Sequence, residues 1–232
     1  MVHSHLDTYK PRPKPIRYIL GYLAMFIGSV IARTTVSGRH YLPKKGPFIV
    51  AINHFSRLDP AFIVFAIRRP MSILMASDQA VEWYFWWAPW LYGYIPTNRI
   101  KLAPSTIKLS KKALKDGDIL GIFPEGTSTS DGIRPAKNGV VYLSAMTNAP
   151  IVPVSILGLS GAWKNLFRGV RPFVKIKIGK PFGPISLPKN KEQKEKAFKN
   201  VGDDLMCHIA ALLPEENQGY LKKDTRLKKY SQ

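Results

Sequence analysis

The amino-acid sequence predicts an α/β fold in which a mostly parallel central sheet is covered by helices. Short apolar runs bounded by glycine, proline or charged residues alternate with stretches of helical character, a pattern typical of parallel sheets with helices on their faces. Hydrophobic residues make up 45% of the 232 residues, which excludes a disordered chain and is enough for one domain with a sizeable core.

Five apolar runs predict strands, and the segments between and after them predict helices. The predicted strands are residues 48–52, 71–76, 118–123, 151–157 and 173–178. The predicted helices are residues 60–69, 105–116, 136–147 and 189–213. We divide the chain into a basic arm with an apolar helix (1–33), a central domain (34–213) and a basic C-terminal tail that we expect to be mobile (214–232).

An apolar stretch at residues 16–32, IRYILGYLAMFIGSVIA, follows the proline-punctuated arm. Its length lies at the lower end of the roughly 17–25 residues that span a bilayer. Basic residues flank it on both sides, so the distribution of positive charge gives no direction for crossing. We favour a helix lying in one leaflet on the cytoplasmic face of a membrane, with a shallow span as the second interpretation and a buried helix as the third.

The charge of the chain is strongly positive, because 35 Lys and Arg residues against 15 Asp and Glu residues give a net charge of +20. Such a field attracts polyanions, which include nucleic acids, anionic lipid surfaces and phosphorylated substrates. The sequence carries no helix-turn-helix, zinc or RNA-recognition signature, so we do not expect a nucleic-acid partner. The single cysteine, Cys207, excludes an internal disulfide and favours a reducing compartment.

Aromatic residues cluster at residues 81–94, VEWYFWWAPWLYGY, which hold four of the five tryptophans. In a soluble protein such a cluster belongs to the core or to an interface. Because this cluster accompanies an apolar N-terminal helix, we favour contact with lipid over burial in the core.

The stretch VAINHFSRLDP places His54 and Asp59 just after the first predicted strand. Ligands of open α/β sheets bind at the carboxyl ends of strands, so His54 is in the expected position for an active site. Asp59 before Pro60 has the pattern of a helix N-cap, which is the simpler interpretation of this aspartate. Alternatively, the loop brings its carboxylate onto one ring nitrogen of His54 and raises the basicity of the other.

A second group of polar residues, Glu125-Gly126-Thr127, follows the strand predicted at 118–123. Gly126 would allow close approach of a ligand to the backbone, and a helix expected to start near Pro135 would favour an anion. Arg99, in GYIPTNRI, is suited to bidentate binding of phosphate. A plain turn and a solvated arginine are the simpler alternatives.

In this order the motifs resemble the sequence blocks of the glycerolipid acyltransferases, most closely the bacterial 1-acylglycerol-3-phosphate acyltransferases. The resemblance covers about residues 47–158, including APIVPVSI. It implies the glycerol-phosphate acyltransferase-like α/β fold, with His54 as general base and Asp59 as its orienting partner. It also implies that the acceptor phosphate and the substrates contact Arg99, Glu125, Gly126 and Thr127.

The sequence departs from this family in two places. Family members often continue the third block with arginine and serine, whereas Thr127 is followed here by Ser128. Either one phosphate contact is missing, or Arg134 or Lys137 supplies it. Some relatives have two N-terminal membrane helices, and only one is visible here. Both departures bear on the substrate more than on the reaction class.

The resemblance implies an O-acyltransferase of phospholipid biosynthesis. A fatty acyl group would pass from acyl-CoA or acyl-carrier protein to the free hydroxyl of 1-acylglycerol-3-phosphate, giving phosphatidic acid. The sequence has no G-x-S-x-G motif, so we expect direct transfer without an acyl-enzyme, with backbone N–H groups near Gly126 facing the oxyanion. We expect no metal and no cofactor. Another acceptor, or a non-catalytic membrane-binding module, remains the alternative.

Overall fold

The computed structural model describes residues 12–76, 94–97, 103–129, 132–162, 165 and 168–230. Its centre is a seven-stranded sheet with strand order β1-β7-β6-β2-β5-β3-β4. The strands are β1 (Arg33–Ser37), β2 (Ile49–Ile52), β3 (Met71–Ala76), β4 (Tyr94–Thr97), β5 (Ile119–Ile122), β6 (Ile151–Leu157) and β7 (Phe173–Ile178).

All neighbouring strands pair in parallel except β6 and β7, which are antiparallel. The predicted mostly parallel sheet is therefore confirmed, and each of the five predicted strands is present within a residue or so of its expected bounds. Strands β1 and β4 were not predicted. Both lie at sheet edges, where one neighbour suffices and the sequence need not be continuously apolar.

The helices are α1 (Lys14–Ile31), α2 (Asp59–Ile67), α3 (Pro104–Lys115), α4 (Gly139–Thr147), α5 (Lys191–Ala210) and α6 (Leu227–Tyr230). Helix α2 packs in a core layer on one face of the sheet, and α3, α4 and α5 pack in a second layer on the other. Strand β2 serves both layers, because Val50 and Ile52 point to the first and Ile49 and Ala51 to the second. This two-sided burial explains its uninterrupted apolar sequence.

Helix α1 lies along α2 through its small residues. A Cβ at Gly21 would stand 3.7 Å from Val64, and one at Gly28 would stand 3.4 Å from Phe65. Near its start, the fully buried Arg17 donates to Asp118 Oδ2 at 3.1 Å. The helix is therefore held to the domain by an ion pair as well as by packing.

The outer face of α1 is apolar and exposed. Eight large hydrophobic side chains are between 42% and 68% exposed there: Ile16, Tyr18, Ile19, Tyr22, Leu23, Phe26, Ile27 and Val30. By length and composition α1 is also a candidate membrane span, with 11% of it buried in the protein.

The C-terminal segment differs from the mobile tail that its basic composition predicts. It forms two short 3-10 turns, Glu215–Asn217 and Gly219–Leu221, before α6. Leu221 and Leu227 are buried in the second core layer, and the Tyr230 hydroxyl donates to Asp204. These apolar contacts outweigh the positive charge in deciding where the segment lies. The boundaries of the three predicted chain segments stay predictions.

Candidate active site

Asn53 directly follows strand β2 and fixes the point where the chain leaves the sheet for the site. Its side chain is fully buried, accepts from Ile156 N at 2.8 Å and donates to Ile156 O at 2.9 Å. The amide thus pairs with β6 as the backbone of another strand residue would, which releases the main chain of residue 53 from the sheet. The next residue, His54, consequently leaves the sheet at its carboxyl edge.

His54 and Asp59 meet, as the orienting interpretation requires. Nδ1 of His54 lies 2.9 Å from Oδ2 of Asp59, and the histidine side chain is 18% exposed while the aspartate is buried. With the carboxylate on Nδ1, the ring carries its proton there and Nε2 is the nitrogen that can accept another. The ring packs on Phe123 with centroids 4.2 Å apart, which fixes its plane.

The interpretation of Asp59 as an N-cap is wrong. Asp59 is the first residue of α2, the cap position is occupied by Leu58, and no side chain caps the helix. The Asp59 carboxylate points back instead, so that Oδ2 accepts from Phe55 N and Ser56 N, each at 2.8 Å. The loop of residues 54–58 closes around this oxygen, which is why a separation of five positions still brings histidine and aspartate together.

Glu125 is buried and both of its oxygens accept backbone hydrogen bonds. Oε1 accepts from His54 N at 3.0 Å, and Oε2 accepts from Arg134 N at 3.0 Å. Thr129 N donates to His54 O at 2.9 Å, so the histidine backbone is held on both sides by the segment that follows β5. The geometry makes Glu125 a link between the loop carrying His54 and the loop carrying Arg134.

Burial raises the pKa values of both acids at this edge. The pKa of Glu125 rises to about 7 because the carboxyl is desolvated, and the backbone hydrogen bonds from His54 and Arg134 oppose that rise. Burial likewise raises the pKa of Asp59 above its ordinary value, opposed first by the hydrogen bond with His54. Shifted acids of this kind, grouped at a strand edge, are typical of functional sites.

Gly126 adopts a left-handed conformation with φ of +73° in the turn after β5. A Cβ there would stand 2.9 Å from Lys137 Nζ, so the lysine side chain lies directly over the turn. The Gly126 N–H donates to Phe123 O at 3.1 Å. This N–H is therefore committed within the turn, and the expectation that backbone N–H groups near Gly126 face the oxyanion stays a prediction.

A sequence model of the family described as Acyltransferase matches residues 33–157, which is more than half of the chain. The matched segment contains His54, Asp59 and Glu125 in the geometry described above. The chain belongs to the acyltransferase family.

Two named acyltransferases are similar to this chain over part of its length. A 1-acyl-sn-glycerol-3-phosphate acyltransferase of Bacillus subtilis is 32% identical over 148 residues, which are 63% of this chain and 72% of that protein. A chloroplastic 1-acyl-sn-glycerol-3-phosphate acyltransferase of Brassica napus is 27% identical over 130 residues, 54% of this chain and 38% of the relative.

The fold is shared with a solved acyltransferase structure. The 1-acyl-sn-glycerophosphate acyltransferase PlsC from Thermotoga maritima matches 81% of this chain and 78% of its own with a TM-score of 0.58. The sequences are 21% identical, so this likeness concerns the fold. It confirms the predicted glycerol-phosphate acyltransferase-like α/β architecture.

The remaining site residues predicted for this acyltransferase fall into two groups. Arg134 and Lys137 are exposed beside the turn, and Thr127 is half-buried within it. The helix expected to start near Pro135 begins at Gly139, so its amino end does not coincide with Arg134. Arg99 and residues 81–93 of the aromatic cluster at 81–94 lie outside the described residues, and their roles stay predictions. Tyr94, the last residue of that cluster, is buried at the start of β4.

Two features of the acyltransferase site were missed from the sequence. Asn53 gave a signal, because a polar residue closes an apolar run, but its partner on β6 lies 103 residues away. The sequence held no signal for the linking role of Glu125, since the backbone N–H groups that it binds have no sequence signature. In the part of the chain that the structure describes, no group of three His, Cys, Asp or Glu side chains could hold a metal ion.

Proposed function

We propose that this acyltransferase transfers a fatty acyl group from an acyl thioester to the free hydroxyl of 1-acylglycerol-3-phosphate, forming phosphatidic acid. The observation that carries the proposal is the 2.9 Å contact between His54 Nδ1 and Asp59 Oδ2 at the end of β2. The names of the relatives supply the acceptor, since they describe 1-acylglycerol-3-phosphate acyltransferases.

In the proposed mechanism, His54 Nε2 removes the proton from the acceptor hydroxyl as its oxygen attacks the thioester carbonyl. The new C–O bond forms, the C–S bond breaks, and the thiolate leaves with little need of an acid. Asp59 holds the proton on Nδ1 and stabilises the imidazolium that results. A thioester is reactive enough for direct attack, and no acyl-enzyme, metal or cofactor takes part in this proposal.

Phosphate recognition is assigned to cations near the turn after β5. Lys137 lies over Gly126, and Arg134 is tied through its backbone to Glu125. Arg99 joins them on the strength of the sequence resemblance. Glu125 and Gly126 act as supports in this proposal, because both oxygens of Glu125 and the N–H of Gly126 bond to backbone.

Membrane attachment is assigned to the exposed face of α1. Since Arg17 pairs with Asp118 and the glycines of α1 pack on α2, the helix is favoured to lie flat on one leaflet beside the domain. The positive net charge adds attraction to anionic headgroups on the cytoplasmic face. The protein would then draw its lipid acceptor from the leaflet on which it rests. No nucleic acid is expected to bind.

A panel assay tests the proposal. Purified protein is incubated with acyl-CoA or acyl-carrier protein and with 1-acylglycerol-3-phosphate, glycerol-3-phosphate or a lysolipid that lacks the phosphomonoester. We expect phosphatidic acid from 1-acylglycerol-3-phosphate to form fastest. Faster acylation of glycerol-3-phosphate or of another lysolipid would replace the acceptor and support the alternative within the same family. Another acceptor is included in the panel because Ser128 stands where members of the family often have an arginine.

A further inference from the structure

Residues 214–221, named here the C-terminal strap, lie outside the segment 33–157 that matches the family. The strap is anchored to the end of α5, because Gln218 Nε2 donates to Ala210 O at 3.3 Å and to Leu213 O at 3.2 Å. Leu221 at its end is buried in the second core layer. The strap is thus fixed to the domain independently of the site.

The strap touches the loop that carries Arg134. Ile133 N donates to Asn217 O at 3.3 Å, and the two backbones approach so closely that neither side tolerates a side chain. A Cβ at Gly219 would stand 2.2 Å from Ile133 O, and one at Gly132 would stand 2.6 Å from the Gly219 Cα. Both glycines have positive φ values, +54° and +96°. The contact is backbone against backbone, so flexible side chains cannot absorb a change.

From that contact a short chain of hydrogen bonds leads to the catalytic base. The residue after Ile133 is Arg134, whose N–H donates to Glu125 Oε2, while Glu125 Oε1 accepts from His54 N. The Thr129 hydroxyl donates to Gly132 O at 3.3 Å and the Thr129 N–H donates to His54 O. Residues 132–134 therefore connect the strap to His54 by two routes, one through Glu125 and one through Thr129.

We propose that the C-terminal strap is a positioning element for acyl transfer, which sets residues 132–134 so that Arg134 meets the acceptor phosphate and Glu125 holds His54. The inference rests on the proposed function and deepens it. It assigns to a segment beyond the family-matching region a part in acceptor binding. If the strap served only for packing, variants that weaken its contacts would leave the KM for the acceptor unchanged.

The main test compares Gly219→Ala with Gly46→Ala. Both glycines have positive φ, but a Cβ at Gly46 meets nothing within 4 Å and Gly46 is exposed. The backbone strain of alanine is thus similar in the two variants, and only Gly219→Ala displaces the loop. We expect Gly219→Ala to raise the KM for 1-acylglycerol-3-phosphate about tenfold or more, since misplacement by about 1 Å can cost ~10²-fold, with the donor KM near wild type. Gly46→Ala should keep wild-type values of both.

Gln218→Ala provides a variant without a clash, which covers the case that Gly219→Ala does not fold. It removes the hydrogen bonds to Ala210 O at the end of α5 and to Leu213 O just after it, and should raise the acceptor KM by a smaller factor. Hydrogen exchange of peptides covering residues 125–137 gives a readout independent of catalysis. Exchange should become faster in Gln218→Ala and in folded Gly219→Ala, and not in Gly46→Ala.

Arg134→Ala, measured in parallel, separates the role of Arg134 in acceptor binding from the role of the strap in placing Arg134. If Arg134→Ala raises the acceptor KM while Gly219→Ala and Gln218→Ala leave it at wild type, the strap is packing alone and the inference is overturned. Unchanged exchange in both strap variants overturns it as well. Wild-type protein that forms no phosphatidic acid in the panel assay would instead refute the proposed function.

Discussion

The carboxyl edge of the sheet buries polar groups, whereas the outer face of α1 exposes apolar ones. At the edge, Asp59 and Glu125 accept from four backbone N–H groups and one imidazole nitrogen, so their burial is compensated within the protein. On α1, by contrast, Phe26 is 68% exposed and Ile19 is 67% exposed within the part of the chain that the structure describes. The first arrangement satisfies its buried polar groups within the protein, whereas the second leaves apolar surface exposed.

Because of this difference, the two regions should respond differently to substitution. A buried polar network loses its function when one member is removed, because the others are left unpaired in a medium of low dielectric constant. An exposed apolar face loses affinity in small steps, since each side chain contributes its own buried area. Substitutions at the two regions should therefore differ in size and in what they affect.

The largest expected effect is that of His54→Ala on acyl transfer. Loss of the general base should reduce kcat by ~10²–10⁴-fold, while binding to anionic vesicles stays at the wild-type level. His40→Ala is the matched control, because His40 is exposed in the turn Arg39–Tyr41 and should keep full activity. Near-normal turnover of folded His54→Ala would show that another group is the base.

Asp59→Asn should reduce kcat less than His54→Ala, by roughly 10²-fold. Oδ2 of Asp59 faces Phe55 N, Ser56 N and His54 Nδ1 together, so an asparagine oxygen in that place can keep all three contacts. It carries no negative charge, however, and stabilises the imidazolium that forms on proton transfer less well than the carboxylate does. Steady-state kinetics with thermal unfolding as a folding control measure this, and a wild-type rate would mean that Asp59 only closes its loop.

Each large side chain removed from the exposed face of α1 should weaken binding to vesicles about tenfold. Burying such a side chain stabilises by roughly 1.5–3 kcal/mol, and about 1.4 kcal/mol is tenfold in Kd. Phe26→Ser and Ile19→Ser test this on vesicles with anionic lipid, and Met146→Ser, on α4 at 45% exposure, is the control away from α1. Equal losses from all three variants would remove α1 as the lipid-binding face.

The smallest expected effect is a pH dependence of stability from Glu125. Its pKa of about 7 lies above the ordinary value of 4.5, so its contribution to stability is present at low pH and is lost as the pH rises through about 7. The Tm of the wild type should fall between about pH 5 and pH 8 relative to that of Glu125→Gln, which cannot titrate. Parallel Tm curves for the two proteins would contradict the raised pKa.

The sequence was informative where burial is periodic and less so where partners are distant. Runs such as FIVAI at 48–52 predicted buried strands because a strand covered on both faces must be apolar throughout. Edge strand β1, RTTVS, alternates between exposed and half-buried residues and pairs only with β7, so it lacked that signal. The parallel sheet was thus predictable and its edges were not.

For the site, spacing placed His54 and Asp59 correctly but gave the wrong backbone role for the aspartate. The N-cap pattern before Pro60 describes a common local outcome, whereas in the structure Oδ2 accepts from two preceding N–H groups and from His54. The mobile tail was mispredicted for a related reason. Composition records the charge of residues 214–232 and not the burial of Leu221 and Leu227, which depends on the second core layer.

One single-turnover experiment tests the central claim that His54 activates the acceptor for direct transfer. Protein in excess over acyl-CoA is incubated first without and then with 1-acylglycerol-3-phosphate, while free thiol is measured and the protein mass is recorded. We predict that thiol is released only after the acceptor is added and that the protein mass does not change. No thiol should be released by His54→Ala. One equivalent of thiol released before the acceptor, with an acyl group on the protein, would contradict it.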